Sequence, residues 1–305
     1  MATAAFSSQS LLYLETQGVV GSSGSKLVYY SQNTQDAMQQ NSLGFDYLQK
    51  LSGSGSDFGT LALQGRVSYL PEKLSTQLYN AYLKLKSTYG DIWIGHDKPA
   101  MGLSSWVDNH AWLLPVLAMK GFGYDRDWGV GLSQQREDGE DRYALTTGSG
   151  MSLVANGNYL LSAHKSWGVL SKDNASLGIS AAYGKVYEAM GYEFMMDKPV
   201  EQYLLGIDHS YNWDNNEWLG EVYWGQKDAQ LAYALFGRLS TNLWEENRLK
   251  VELQGILGES FGQQLHETSV GLTYLLTPEW TTRALYQIDS TEPKFVLQCY
   301  YYTRL

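Results

Sequence analysis

Five histidines, His96, His110, His164, His209 and His266, are the side chains of this 305-residue chain best suited to bind a metal or relay a proton. They lie far apart, none stands in an HExxH spacing or beside a cysteine, and so no metal site is expected. The triplet Asp208-His209-Ser210 has the residue types of a charge relay. In an extended chain, however, neighbours point to opposite faces, which prevents three consecutive residues from acting as one triad. There is no GxSxG elbow, P-loop or dinucleotide fingerprint, so acyl, phosphoryl and hydride transfer lack a sequence signal. No catalytic residue and no cofactor is expected. What the chain does carry is a set of cations and aromatic rings at alternating positions, Arg66, Tyr82, Lys84, Lys86 and Trp93. Groups placed that way sort solutes by charge and contact, without making bonds.

The elements that position them alternate with a period of two. Leu61, Leu63, Val67 and Tyr69 fall on one face of a strand, with Gln64, Arg66 and Ser68 on the other. Tyr79, Ala81, Leu83 and Leu85 oppose Asn80, Tyr82, Lys84 and Lys86. Tyr203, Leu205, Ile207 and Tyr211 oppose Gln202, Asp208, Ser210 and Asn212, and Leu249, Val251, Leu253 and Leu257 oppose Arg248, Lys250, Glu252 and Gln254. The runs are longer than the ~5–6 residues usual in soluble sheets, as strands tilted across a hydrocarbon layer must be. Turn signals separate them at Ser52–Asp57, Tyr89–Asp91, Asp214–Glu217, Glu245–Asn247 and Thr277–Glu279. Trp213, Trp218, Trp224, Trp244, Trp280, Tyr301 and Tyr302 sit near the ends of runs, as aromatic girdles at two membrane interfaces require. The competing reading packs those rings into the core of a soluble sandwich. The predicted fold is all-β, a transmembrane antiparallel β-barrel of about 16 strands, with 14 to 18 compatible, formed by residues 1–305 as a single domain.

Composition agrees. Gly (31), Tyr (23) and Trp (10) are abundant and Pro (6) scarce, which favours long hydrogen-bonded strands, and the lone Cys299 excludes an internal disulfide. A net charge of −10 argues against nucleic acid as a partner. The longest apolar run, Trp112–Met119, is interrupted by Pro115 and falls far short of the ~20 residues of a helical span. No charged and apolar leader opens the chain, so the chain is either cytosolic or, as Met1-Ala2-Thr3-Ala4 suggests, an exported one whose signal has been removed.

From Asn41 to Pro115 the chain resembles the general trimeric porins of Gram-negative bacteria. The run NSLGFDYLQKLSGSGSDFGTLALQGRVSY is similar to their second and third strands, and LYNAYLKLKSTYGDIWIGHDKPA to the hairpin that leads into their third extracellular loop. The resemblance implies an inward-folded third loop, here Asp97 to Trp112 with Asp97, Trp106, Asp108 and His110, facing a basic wall of Arg66, Lys84 and Lys86. Tyr82 and Trp93 would be lumen aromatics offering a slide to sugars or flat solutes. An ordinary outward loop is the alternative. Also implied are a bacterial outer-membrane location amid lipid and lipopolysaccharide, a homotrimer, and passive diffusion of small hydrophilic solutes or ions. Gly18–Gln40 and Gln135–Arg142 would be further extracellular loops. Ending on Leu305 departs from the aromatic terminus common among such barrels. Two other functions fit a barrel: a sheath around a partner protein such as an electron-conduit cytochrome, and an outer-membrane enzyme. A sheath could dispense with the inward loop, so residues 97–116 discriminate.

Overall fold

The structure, a computed structural model, describes residues 8–24, 26–28, 40–53, 56–70, 73–107, 113–289 and 292–305. Sixteen long strands follow one another around a closed antiparallel barrel. They are β1 (Ser8–Ser23), β2 (Asn41–Gly53), β3 (Ser56–Leu70), β4 (Lys73–Ser87), β5 (Gly90–Asp97), β6 (Asp127–Arg136), β7 (Gly139–Thr146) and β8 (Tyr159–Trp167). The circuit continues with β9 (Ala175–Val186), β10 (Val200–Trp213), β11 (Asn216–Lys227), β12 (Gln230–Leu243), β13 (Leu249–Ser260), β14 (Gln263–Leu275), β15 (Trp280–Asp289) and β16 (Lys294–Arg304). Lys26–Val28 only prolongs the first hairpin. Thr16 of β1 lies opposite Leu43 of β2 on one side and Tyr301 of β16 on the other, so the first strand meets the last and the ring of strands closes.

Alternation sets the two faces. On β10, Leu205 and Ile207 are 55% and 57% exposed, while their neighbours Leu204 and Asp208 are buried. The outward face is apolar, and Trp218, Trp244 and Trp280 ring it near the tight turns, with Tyr69, Trp224 and Tyr286 near the other end. Among the described residues no helix is long and apolar enough to cross a membrane. Tight connections such as 88–89, 137–138 and 214–215 share one end of the barrel with both terminal strand ends, and the connections 98–126, 147–158 and 187–199 share the other. The wall is uneven in height: β5, β7 and β8 hold 8, 8 and 9 residues, against 14 in β10 and in β12.

Three local expectations are corrected. Tyr79 faces inward and is buried, because the β3–β4 ladder passes from Gln64–Asn80 to Gly65–Leu78 and leaves Tyr79 as one extra residue, a β-bulge that switches the face of everything before it. Gly18 to Ser23 are strand, since β1 pairs with β16 as far as Ser23–Lys294. Gln135–Arg142 is a hairpin at the tight-turn end, with Arg136 opposite Gly139 and Glu137-Asp138 as the turn. There the Arg136 guanidinium, 3.0 Å away, holds the Asp138 carboxyl below the usual range.

Candidate functional site: a loop folded into the lumen

The connection 98–126, described except for 108–112, enters the barrel and is hung on its inner wall. Near its start, Ala100 N–H donates to Ser162 Oγ of β8 (3.1 Å), Gly102 N–H to Ser180 Oγ of β9 (2.8 Å) and Leu103 N–H to Glu221 Oε1 of β11 (2.9 Å). Arg142 of β7 donates to the carbonyl of Ser105. Further on, Gln254 of β13 donates to the Pro115 carbonyl (2.9 Å), Lys120 pairs with Glu267 of β14 (2.6 Å), and Lys227 of β11 donates to the Gly121 carbonyl (2.5 Å). The segment leaves past Arg126, whose Nε donates to Asn80 Oδ1 of β4 (2.7 Å). Polar donors and acceptors from the wall thus satisfy backbone groups that a loop inside a barrel would otherwise leave unpaired.

Apolar packing completes the attachment. Met101, Leu103, Leu117 and Phe122 of the loop are buried against Leu160, Leu204, Leu219, Phe236 and Ile256 of the wall. Leu113 and Leu114 pack on Val19, Leu285 and Val296 from β1, β15 and β16. These inward apolar residues escaped the period-of-two reading because each sits beside an outward one: Leu160-Leu161, Leu204-Leu205, Leu235-Phe236, Ile256-Leu257. Such doublets mark strands that are apolar on both faces, and a polar-lined bore has no use for them unless something covers the inner one.

Five of the residues singled out in the sequence, Tyr82, Lys84, Trp93, Asp97 and Trp106, border one recess of about 360 Å³ between the wall β4–β7 and the start of the loop. Asp91, Lys98, Ser133, Gln135, Glu140 and Arg142 are among the other polar residues that line it. Lys84 Nζ lies over the Tyr82 ring, 5.4 Å from its centre. Trp93 packs against Ala100 and Ala144, and Gly131 makes room for it, since a Cβ there would fall 2.3 Å from the indole Nε1. Two predicted wall cations are elsewhere. Arg66 is buried in an ion pair with Glu15 (2.7 Å), its guanidinium 5.7 Å from the centre of the Tyr79 ring. Lys86 is exposed at the tight-turn end, opposite Asp91. Asp108 and His110, with Trp112, lie outside the described residues.

Asp208 and Ser210 face inward and His209 outward beside Tyr211, as the alternation requires. Asp208 pairs instead with His164 of β8 at 2.8 Å, a contact across 44 residues with no local signature. Among the described residues no cluster of three His, Cys, Asp or Glu side chains is placed to hold a metal.

A closed sixteen-stranded antiparallel barrel with a long connection folded inside has the fold of the porins. Solved structures of similar fold include OmpF of Salmonella typhi in complex with daunomycin (TM-score 0.70, 11% identity, 96% of this chain and 97% of that one). An anion-selective porin from Comamonas acidovorans is also similar (TM-score 0.66, 10% identity, 98% and 100%). So is a trimer form of OmpT, an outer membrane protein of Vibrio cholerae (TM-score 0.69, 10% identity, 97% and 100%). No protein-family model and no curated protein sequence matches the chain.

Proposed function

We propose that this chain forms a passage through a bacterial outer membrane along which small hydrophilic solutes and ions diffuse down their gradients. The observation that carries this reading is the connection 98–126, folded into the lumen and held to wall residues from Asn80 of β4 to Glu267 of β14. A barrel built to sheathe a partner protein needs a clear bore, so the inward loop favours a selective passage over a sheath. Transport of this kind makes no bonds: polar wall groups replace part of a solute's hydration, and the narrowing sorts by size and charge. The porins of similar fold support the reading, and the trimer form of OmpT, an outer membrane protein of similar fold, supports a homotrimer. Lipid and lipopolysaccharide would cover the apolar belt.

The test is single-channel conductance of detergent-refolded protein in a planar bilayer, followed by the reversal potential in a salt gradient. Discrete steps are expected; a folded but silent protein would overturn the reading. Neutralising Lys84 to Gln should move the reversal potential toward cation selectivity, and an unmoved value would remove it from the narrowing.

A further inference from the structure

Asp97 stands opposite Asp127 across the β5–β6 ladder, and the two carboxylates meet very different surroundings. Asp127 accepts hydrogen bonds from Thr147 Oγ1 (2.8 Å) and from the backbone N–H groups of Trp128 (2.9 Å), Gly148 (2.7 Å), Gly150 (3.1 Å) and Ser149 (3.3 Å). Asp97 is only 9% exposed, yet no described residue gives it a hydrogen bond or an ion pair. It borders the 360 Å³ recess. Lys98, the next residue, is turned to the Val107 carbonyl. The Asp97 carboxylate opens onto the recess with a second carboxylate across the ladder, an arrangement that favours a cation there.

The other end of the recess has the opposite character. Lys84 has the Tyr82 ring beneath it and no carboxylate within ion-pair distance among the described residues. Its partner across the ladder is Trp93, and Asp97 lies four residues further along the same strand face, about 13 Å at ~3.3 Å per residue. The lysine stem covers part of that distance. The charges of the lining cancel, with Lys84, Lys98 and Arg142 against Asp91, Asp97 and Glu140. The rings are not free platforms for a sugar, because Lys84 covers Tyr82 while Ala100 and Ala144 cover Trp93.

We propose that this recess is a subsite for small zwitterions, amino acids or short peptides, which places an ammonium group on Asp97 and a carboxylate on Lys84. It rests on the channel reading above and names the solute class that the channel favours.

Liposome swelling with the full-length protein tests it, using four solutes of similar size: glycylglycine, glycinamide, N-acetylglycine and the neutral N-acetylglycinamide. Glycylglycine should enter about tenfold faster than N-acetylglycinamide, the factor that one charge-assisted hydrogen bond supplies. Asp97→Asn should remove the advantage of the two solutes with an ammonium group, and Lys84→Gln that of the two with a carboxylate. Entry of all four at rates set by size alone, through wild-type protein that conducts in KCl, would overturn the proposal and leave the channel intact. Wild-type protein silent in KCl and impermeable to all four would overturn both. The wild-type comparison decides even if a variant fails to fold.

Discussion

The hydroxyl of Tyr192 sits on both backbone polar groups of Leu78, accepting from its N–H at 2.5 Å and donating to its C=O at 2.8 Å. The two residues are 114 apart, and the contact has a plain cause. Pairing between β4 and β5 stops at Ala81–His96, so the edge of β4 beyond it has no strand partner. The connection 187–199, which contains a small hairpin of 189–190 against 193–194, crosses to that edge and supplies the missing groups from one side chain. Burial pushes the Tyr192 hydroxyl pKa upward, which keeps it a donor through the physiological range.

Tyr192→Phe should leave two backbone groups of Leu78 without that partner, at a cost of about 1–3 kcal/mol to the docking of 187–199. Limited proteolysis in detergent should then cut within 187–199 sooner than in wild type, with the barrel itself intact on unheated gels. Equal cleavage rates would mean that the hydroxyl contributes nothing to holding the loop.

Glu188 ties the same connection to the wall through Lys227, 3.1 Å away. Burial pushes its carboxyl above the ordinary value of 4.5, and the neighbouring ammonium opposes the shift. A carboxyl raised in the folded state binds its proton more tightly there. Its contribution is therefore full below the unfolded value and is lost as pH rises through the folded one. Protection factors of the amides over 187–195, with the intrinsic pH dependence of exchange divided out, should be larger at pH 4 than at pH 7, and Glu188→Gln should flatten that difference. A variant that keeps the full pH dependence would assign it to another group.

Arg66 and Glu15 form a pair whose side chains are 1% and 2% exposed, so removing one partner strands a buried charge. Arg66→Met alone should destabilise the barrel by about 3–5 kcal/mol, and Glu15→Gln with Arg66→Met by much less. The midpoint of urea unfolding measures both. If the single and double variants are equally damaged, the cost lies in packing and not in the stranded carboxylate.

Leu117 is fully buried between the loop and the wall. Leu117→Ala should loosen the attachment by about 2–5 kcal/mol and raise the open-channel noise in single-channel records, while the sheet signal in circular dichroism stays the same. A quiet channel of unchanged conductance would show that the polar contacts alone fix the loop.

Much of this architecture can be read in the residues, and the limits have physical causes. The outward row Leu61, Leu63, Val67, Tyr69 follows from a period of two, because each pleat must choose between oil and water, whereas the strand count follows from chain length. Tyr79 could not be placed that way: a bulge shifts the phase by one residue and leaves no compositional mark in Gln77–Asn80. The recess was partly legible, since Tyr82, Lys84, Trp93 and Asp97 share one wall of two adjacent strands. Arg142 was not, because its role depends on a loop that reaches it only in three dimensions. Arg66 has the right face but the wrong neighbour: Glu15 comes to it from β1, and the approach of β1 to β3 across β2 is a property of barrel curvature.

The low stretch of wall also acts on the surroundings of the molecule. A strand of 8 residues rises ~3.4 Å per residue, and a tilt of roughly 40° reduces its height to about 20 Å, below the ~25 Å apolar band usual for such barrels. Lipids beside β5, β7 and β8 must therefore shorten or tilt, while those beside β10 and β12, with 14 residues each, need not. The barrel bends the thickness of the bilayer around itself, and that elastic strain gives it a preferred side from which to meet whatever else floats in the same leaflet.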